Sequence, residues 1–175
     1  MHEPANPGRR PPFPGRHPTL KVVPPARESA PAGGPEDSFE PEDWYEAGCD
    51  LETEDPSQAR DAYRRALELA PRDADAHLNL GRLLHEAGRL GPALDHYRLA
   101  LEVRARDATA AYNLGVCLQD LGRTREAVRA YLGALERDPG NADAHFNLAQ
   151  LYLETGKPGR AARHREAYER LRLVS

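Results

Sequence analysis

Apolar side chains recur at three- and four-residue spacing along most of this chain, and the spacing is interrupted at regular distances. Between residues 108 and 135, Tyr112, Leu114, Gly115, Leu118 and Leu121 recur at this spacing; Gly122 breaks the pattern, and Ala127, Val128, Tyr131, Ala134 and Leu135 resume it. A period near 3.6 marks the buried stripe of an amphipathic helix. The glycine permits a left-handed backbone at the first helix's end. Extended along the chain, the pattern predicts eight helices, near 42–53, 56–70, 74–87, 90–103, 108–121, 124–137, 142–155 and 158–173. Start and stop signals agree with it. Asp107 and Asn141 precede first helices, Thr124 precedes a second, and Asp55-Pro56-Ser57-Gln58 supplies a cap, a proline for the first helical position and a capping-box glutamine. Pro71 and Pro139 stop second helices.

The pattern itself repeats every 34 residues, without a gap, from Ala74, Ala108 and Ala142. Asn79, Asn113 and Asn147 superpose, as do Gly81, Gly115 and Ala149, then Gly88, Gly122 and Gly156, then Ala93, Ala127 and Ala161. A fourth copy precedes them. Its second half, with Ala59, Tyr63, Ala66 and Leu67, keeps the 34-residue offset, while Trp44, Ala47, Gly48 and Leu51 fit only after a one-residue shift, so its turn is one residue short. Short side chains such as Gly81, Ala93 and Ala100 stand where two helices cross closely, and the tyrosines fill the space toward the next hairpin.

On these residues the chain resembles the tetratricopeptide repeat proteins over 41–175, with units of about 41–73, 74–107, 108–141 and 142–175. The resemblance implies an all-α, right-handed solenoid of four helical hairpins, whose first helices line a concave groove that binds peptide segments or partner domains. The last copy departs from the pattern, with Arg165 in the place of Tyr63, Tyr97 and Tyr131. A charged residue suits a capping helix that no further hairpin covers, and Ala161, His164, Tyr168 and Leu171 supply its remaining apolar stripe.

Composition separates an arm from this body. Ten of the sixteen prolines fall in the first 35 residues, where fixed φ and missing donors oppose helix and central strand, so residues 1–38 are expected to be a disordered arm. Its PxxP spacings, Pro4 to Pro7 and Pro11 to Pro14, are those of polyproline ligands but arise readily in any proline-rich run. No apolar run approaches the roughly 18 residues that cross a bilayer, and no apolar core follows a basic start, so a cytosolic location without membrane contact is expected. Basic charge is nearly all arginine, which with abundant alanine suggests a GC-rich bacterial gene. Cys49 and Cys117 stand far apart without CxxC or Cys/His spacing, which supports neither disulfide nor zinc.

No motif nominates a catalyst. Gly156-Lys157 lacks the spacing and preceding strand of a phosphate loop, and GxSxG, HExxH and DxDxDG strings do not occur. His77, His96, His145 and His164 are spaced by the repeat rather than as metal ligands. The reading is therefore a non-enzyme without cofactor or metal, and the candidate site is the face of the first helices. Tyr45, Leu78, Tyr112 and Phe146 share it with Asn79, Asn113 and Asn147, followed by Cys49, Arg82, Val116 and Gln150. A row of amides offers donors and an acceptor to a peptide backbone whatever its sequence, and it is similar to the asparagine ladder of protein O-glycosyltransferases. The same asparagines equally suit bracing of their own hairpins. Glu42, Glu46, Glu52, Asp75, Glu86, Asp120, Asp143 and Glu154 oppose Arg82 alone on this face. Helix-start acids such as Asp75 and Asp143 answer the helix dipole; the remainder favours a basic protein segment as partner.

This balance argues against nucleic acid in the groove, since phosphates would meet net negative charge. It also argues against a carboxylate clamp, whose basic positions hold Tyr45, Cys49, Asn79, Thr109 and Asn113. Arginines concentrate on the second helices, at Arg60, Arg64, Arg65, Arg123, Arg125, Arg129, Arg160 and Arg163, as on a solvated face. Three functions fit. The first is an adaptor binding a partner peptide. The second is an effector module of a transcription regulator, because the array resembles those at the carboxyl end of some bacterial MerR-like regulators. The third is a substrate-recruiting subunit of a transferase, resting on the asparagine row.

Overall fold

The computed structural model describes residues 39–173. The expectations for the arm lie outside the described residues. Among the described residues eight helices follow one another: α1 (Pro41–Leu51), α2 (Pro56–Leu69), α3 (Ala74–Glu86), α4 (Leu90–Val103), α5 (Ala108–Asp120), α6 (Thr124–Arg137), α7 (Ala142–Glu154) and α8 (Pro158–Arg172). Each start or end lies within two residues of the periodic pattern, because the signals that set them are local. Asp55, Asp73, Asp107 and Asn141 each accept a hydrogen bond from a backbone N–H of the helix they precede. Thr124 is an exception to the expected caps. It is the first residue of α6, and Arg123 takes the cap position with its guanidinium held by Glu126 through two bonds of 2.7 Å.

Three of the four hairpins turn alike. Gly88, Gly122 and Gly156 adopt φ of 72°, 71° and 70°, and the next residue's N–H returns to a carbonyl five residues back, as from Arg89 to Leu84 at 2.8 Å. The first hairpin lacks this glycine. Its shorter turn closes by a bond from Asp55 N–H to the Leu51 carbonyl at 2.9 Å.

Helices pack in sequence order, α1 on α2 through α7 on α8, with each second helix also touching the next first helix. The centre of each junction is a tyrosine. Tyr63, Tyr97 and Tyr131 are fully buried, and each fits only because a glycine faces it. A β-carbon on Gly115 would lie 2.6 Å from Tyr131 Cδ1, and one on Gly48 or Gly81 would lie 2.7 Å or 2.9 Å from Tyr63 or Tyr97 Cε1. In the fourth copy Arg165 replaces the tyrosine, and there the facing residue is Ala149. The two columns change together. Alanines 59, 62, 66, 93, 100, 127 and 134 are buried between helices, with Leu80, Leu83, Leu148 and Leu151.

Candidate functional site

The first-helix face is assembled from one stripe of each of α1, α3, α5 and α7. Exposure divides the expected residues. Glu86, Asp120, Phe146 and Gln150 are exposed; Tyr45, Glu46, Leu78, Asn79, Arg82, Asn113 and Asn147 are half-buried. Tyr112 and Val116, expected on the same face, are buried and pack in the core. The physical reason for Tyr112 is its neighbour: the next hairpin lays Asn147 over the hydroxyl.

The asparagine row is not uniform. Asn79 donates from Nδ2 to the hydroxyls of Tyr45 at 3.2 Å and Tyr63 at 3.3 Å; Asn147 donates in the same way to Tyr112 at 3.3 Å and Tyr131 at 3.2 Å. Both donors of each amide are thereby used, and the bonds join one hairpin to the hairpin before it. Leu78 stands at the middle junction where the outer two have Tyr45 and Tyr112, so that junction has one tyrosine, Tyr97, instead of two. Asn113 makes no comparable bond. The row offers a donor-bearing amide at one position rather than three.

Charge is also partly satisfied within the face. Arg82 pairs with Glu52 and, at 2.9 Å, with Glu86; its guanidinium is held above the usual arginine range by these carboxylates, against a lowering from burial. Glu52 additionally accepts from the Tyr63 hydroxyl at 2.7 Å. His85 Nε2 lies 2.8 Å from Asp120 across α3 and α5. Asp75 is held by two bonds from Arg104, 2.8 and 2.7 Å. The face keeps an excess of carboxylates, with Arg82 its single guanidinium and itself neutralised twice over. Cys49 is half-buried beside the Tyr63 hydroxyl, and burial pushes its thiol up, the reverse of a reactive nucleophile.

On the opposite side of the same hairpins lie groups the periodic pattern passed over. His77 Nδ1 meets His96 Nδ1 at 3.0 Å, and His145 Nδ1 meets His164 Nδ1 at 3.0 Å. In each pair the first ring's Nε2 touches a proline carbonyl at the end of the preceding hairpin, Pro71 at 3.1 Å and Pro139 at 3.3 Å. A carbonyl only accepts, so Nε2 of His77 and His145 carries hydrogen and their Nδ1 accepts from the partner ring. The signal was present as His and His 19 residues apart, twice. Among the described residues no group of three or more His, Cys, Asp or Glu is placed to hold a metal ion, and no helix is long and apolar enough to cross a membrane.

The tetratricopeptide repeat profile matches residues 50–111 and 112–172. The chain belongs to this family. Solved tetratricopeptide structures share the fold. A crystal structure of MamA superposes with a TM-score of 0.73 at 20% identity, covering 77% of this chain and 79% of that one. MamA 41-end from Desulfovibrio magneticus RS-1 gives 0.73 at 22%, covering 79% of each. YrrB, described as a TPR protein with an unusual peptide-binding site, gives 0.67 at 26%, covering 75% of this chain and 68% of that one. No curated protein sequence matches the chain. As in that family, the eight helices form a solenoid of tetratricopeptide hairpins, an architecture that serves protein interaction.

Proposed function

We propose that this chain is a cytosolic, non-enzymatic adaptor whose first-helix face holds an extended segment of a partner protein, with basic side chains favoured. The observation that carries the reading is the middle of that face. There the Asn113 amide lacks the tyrosine pair that engages Asn79 and Asn147, and it shares its side of α5 with the exposed carboxylate of Asp120. The peptide-binding site described for YrrB supports the same use of the architecture.

The test begins with affinity capture on the full chain from lysate, followed by titration of the captured partner against variants. Asn113→Ala removes a hydrogen-bonding group without opening the core, so affinity should fall by about 0.5 to 1.5 kcal/mol with the melting temperature nearly unchanged. Charge reversal of Glu86 together with Asp120 should slow association and reduce its salt dependence. Lower stability with intact affinity in Asn113→Ala would refute the reading.

A further inference from the structure

Hairpins 2 and 4 fill one place with paired aromatic rings, and the third leaves it open. Hairpin 2 fills it with His77 and His96, and hairpin 4 with His145 and His164, each pair with ring centroids 5.2 Å apart. In hairpin 1, after its one-residue shift, Trp44 stands at the first of these positions and Ala62 at the second. Hairpin 3 has Ala111 and Ala130.

A cavity of about 310 Å³, open to solvent, results between α4, α5 and α6, floored by Leu101, Leu114 and Leu118. Leu114 shows the effect directly. It is only half-buried, whereas Leu80 and Leu148 at the same register are 1% and 0% exposed. Gly133 widens the opening where hairpin 2 has Leu99.

The rim is as distinctive as the floor. Arg98, Arg129 and Arg137 border the cavity with one carboxylate, Glu126, which Arg123 already holds. Hairpin 2 has Asp95 and Val103 where Arg129 and Arg137 stand here. Arg137 is fixed in place, donating from Nε to the Ala105 carbonyl at 2.8 Å and from its terminal nitrogen to the Gly133 carbonyl. The hollow and the positive rim therefore occur together, at one hairpin.

We infer that this cleft is a second binding site, which accepts the aromatic side chain of a partner protein segment flanked by carboxylates. The neighbouring hairpins show what fits the place, since aromatic rings close it in each of them. A ring entering from outside covers Leu114 and lies among guanidiniums that stack on aromatic faces, while flanking carboxylates meet the arginine rim. At 100° per residue Ala111 and Leu118 lie about 160° and 140° round α5 from Asn113, with Leu114 about a quarter turn away, so this site and the first-helix face are separate and admit ligands at once.

The probe is a labelled acidic peptide, Asp-Glu-Phe-Asp-Glu, with Asp-Glu-Ala-Asp-Glu as its control, titrated against the full chain by fluorescence polarisation. The phenylalanine peptide should bind roughly tenfold or more tightly than the alanine peptide, as burial of one ring supports. Ala111→His with Ala130→His transplants the pair that hairpins 2 and 4 already accept and should abolish binding. Arg129→Ala leaves the packing alone and should weaken binding and its salt dependence. Equal binding of the two peptides, or unchanged affinity in both variants, would overturn the assignment. Phe39 beside Glu40, Glu42 and Asp43 carries the same chemistry within this chain. Self-association of the unliganded chain that disappears in Phe39→Ala would overturn the partner in favour of a second copy.

Discussion

Tyr131 and Gly115 behave as one position shared between two helices. With a β-carbon placed 2.6 Å from the ring, Gly115→Ala must shift α5 or turn the tyrosine out of its rotamer, at a cost of about 1 to 3 kcal/mol. Arg125→Ala, on the exposed side of α6, should cost little. Equal urea midpoints for these two variants would mean that the hairpin register is wrong. The asparagines supply a second contrast. Asn147→Ala leaves the Tyr112 and Tyr131 hydroxyls without its donor, whereas Asn113→Ala removes no such bond, so the first should lower the urea midpoint and the second should not. The glycine column was readable from the sequence, because its cause lies within one hairpin. The asparagine roles were not, because the deciding tyrosines lie 16 and about 34 residues upstream and only stacking brings them together.

At the scale of the helix, the histidine pairs tie α3 to α4 and α7 to α8, and give those two hairpins a response to mild acid that comes from the rings. Burial, His77 and Arg64 push His96 down to about 4, although Asp95 opposes them; burial and His145 lower His164. An unfolded histidine titrates near 6.5, so between about pH 6.5 and 4 the folded chain binds fewer protons than the unfolded chain. Stability is then full above about pH 6.5 and falls as the pH drops toward 4. Melting temperatures followed by helical signal from pH 7.5 to 5 should fall, and the double variant His96→Gln, His164→Gln should fall less steeply. Parallel curves would exclude the pairs as the cause. Helix ends were legible to within two residues, since caps, prolines and glycines act over a single turn. The pairing of rings 19 residues apart was legible only as a recurrence, its geometry depending on how two helices cross.

For the solenoid as a whole, each hairpin is stabilised by its neighbours, so the inner helices have support on both sides and the last has it on one. Along α8 only Ala161 is buried, and Arg165 faces solvent where the other copies bury a tyrosine. Hydrogen exchange should therefore reach α8 first and α3 to α6 last. Protection of α8 equal to that of α5 would contradict this order. The junctions themselves alternate. The first and third are closed by two tyrosines and an asparagine; the middle one uses His85 with Asp120, the Arg137 bond to Ala105, and the Cys117 thiol on the Leu90 carbonyl at 3.3 Å.

The junctions thus recur over two hairpins, while the alignment shows a repeat of one. Length can accordingly be changed in whole modules. Inserting a second copy of residues 74–141 after position 141 sets the two kinds of junction in alternation and creates one new seam, where the copied α3 follows α6 and brings its asparagine to the two tyrosines of hairpin 3. The extended chain would carry two arginine-rimmed clefts instead of one, which makes the number of binding sites something a designer adjusts by splicing.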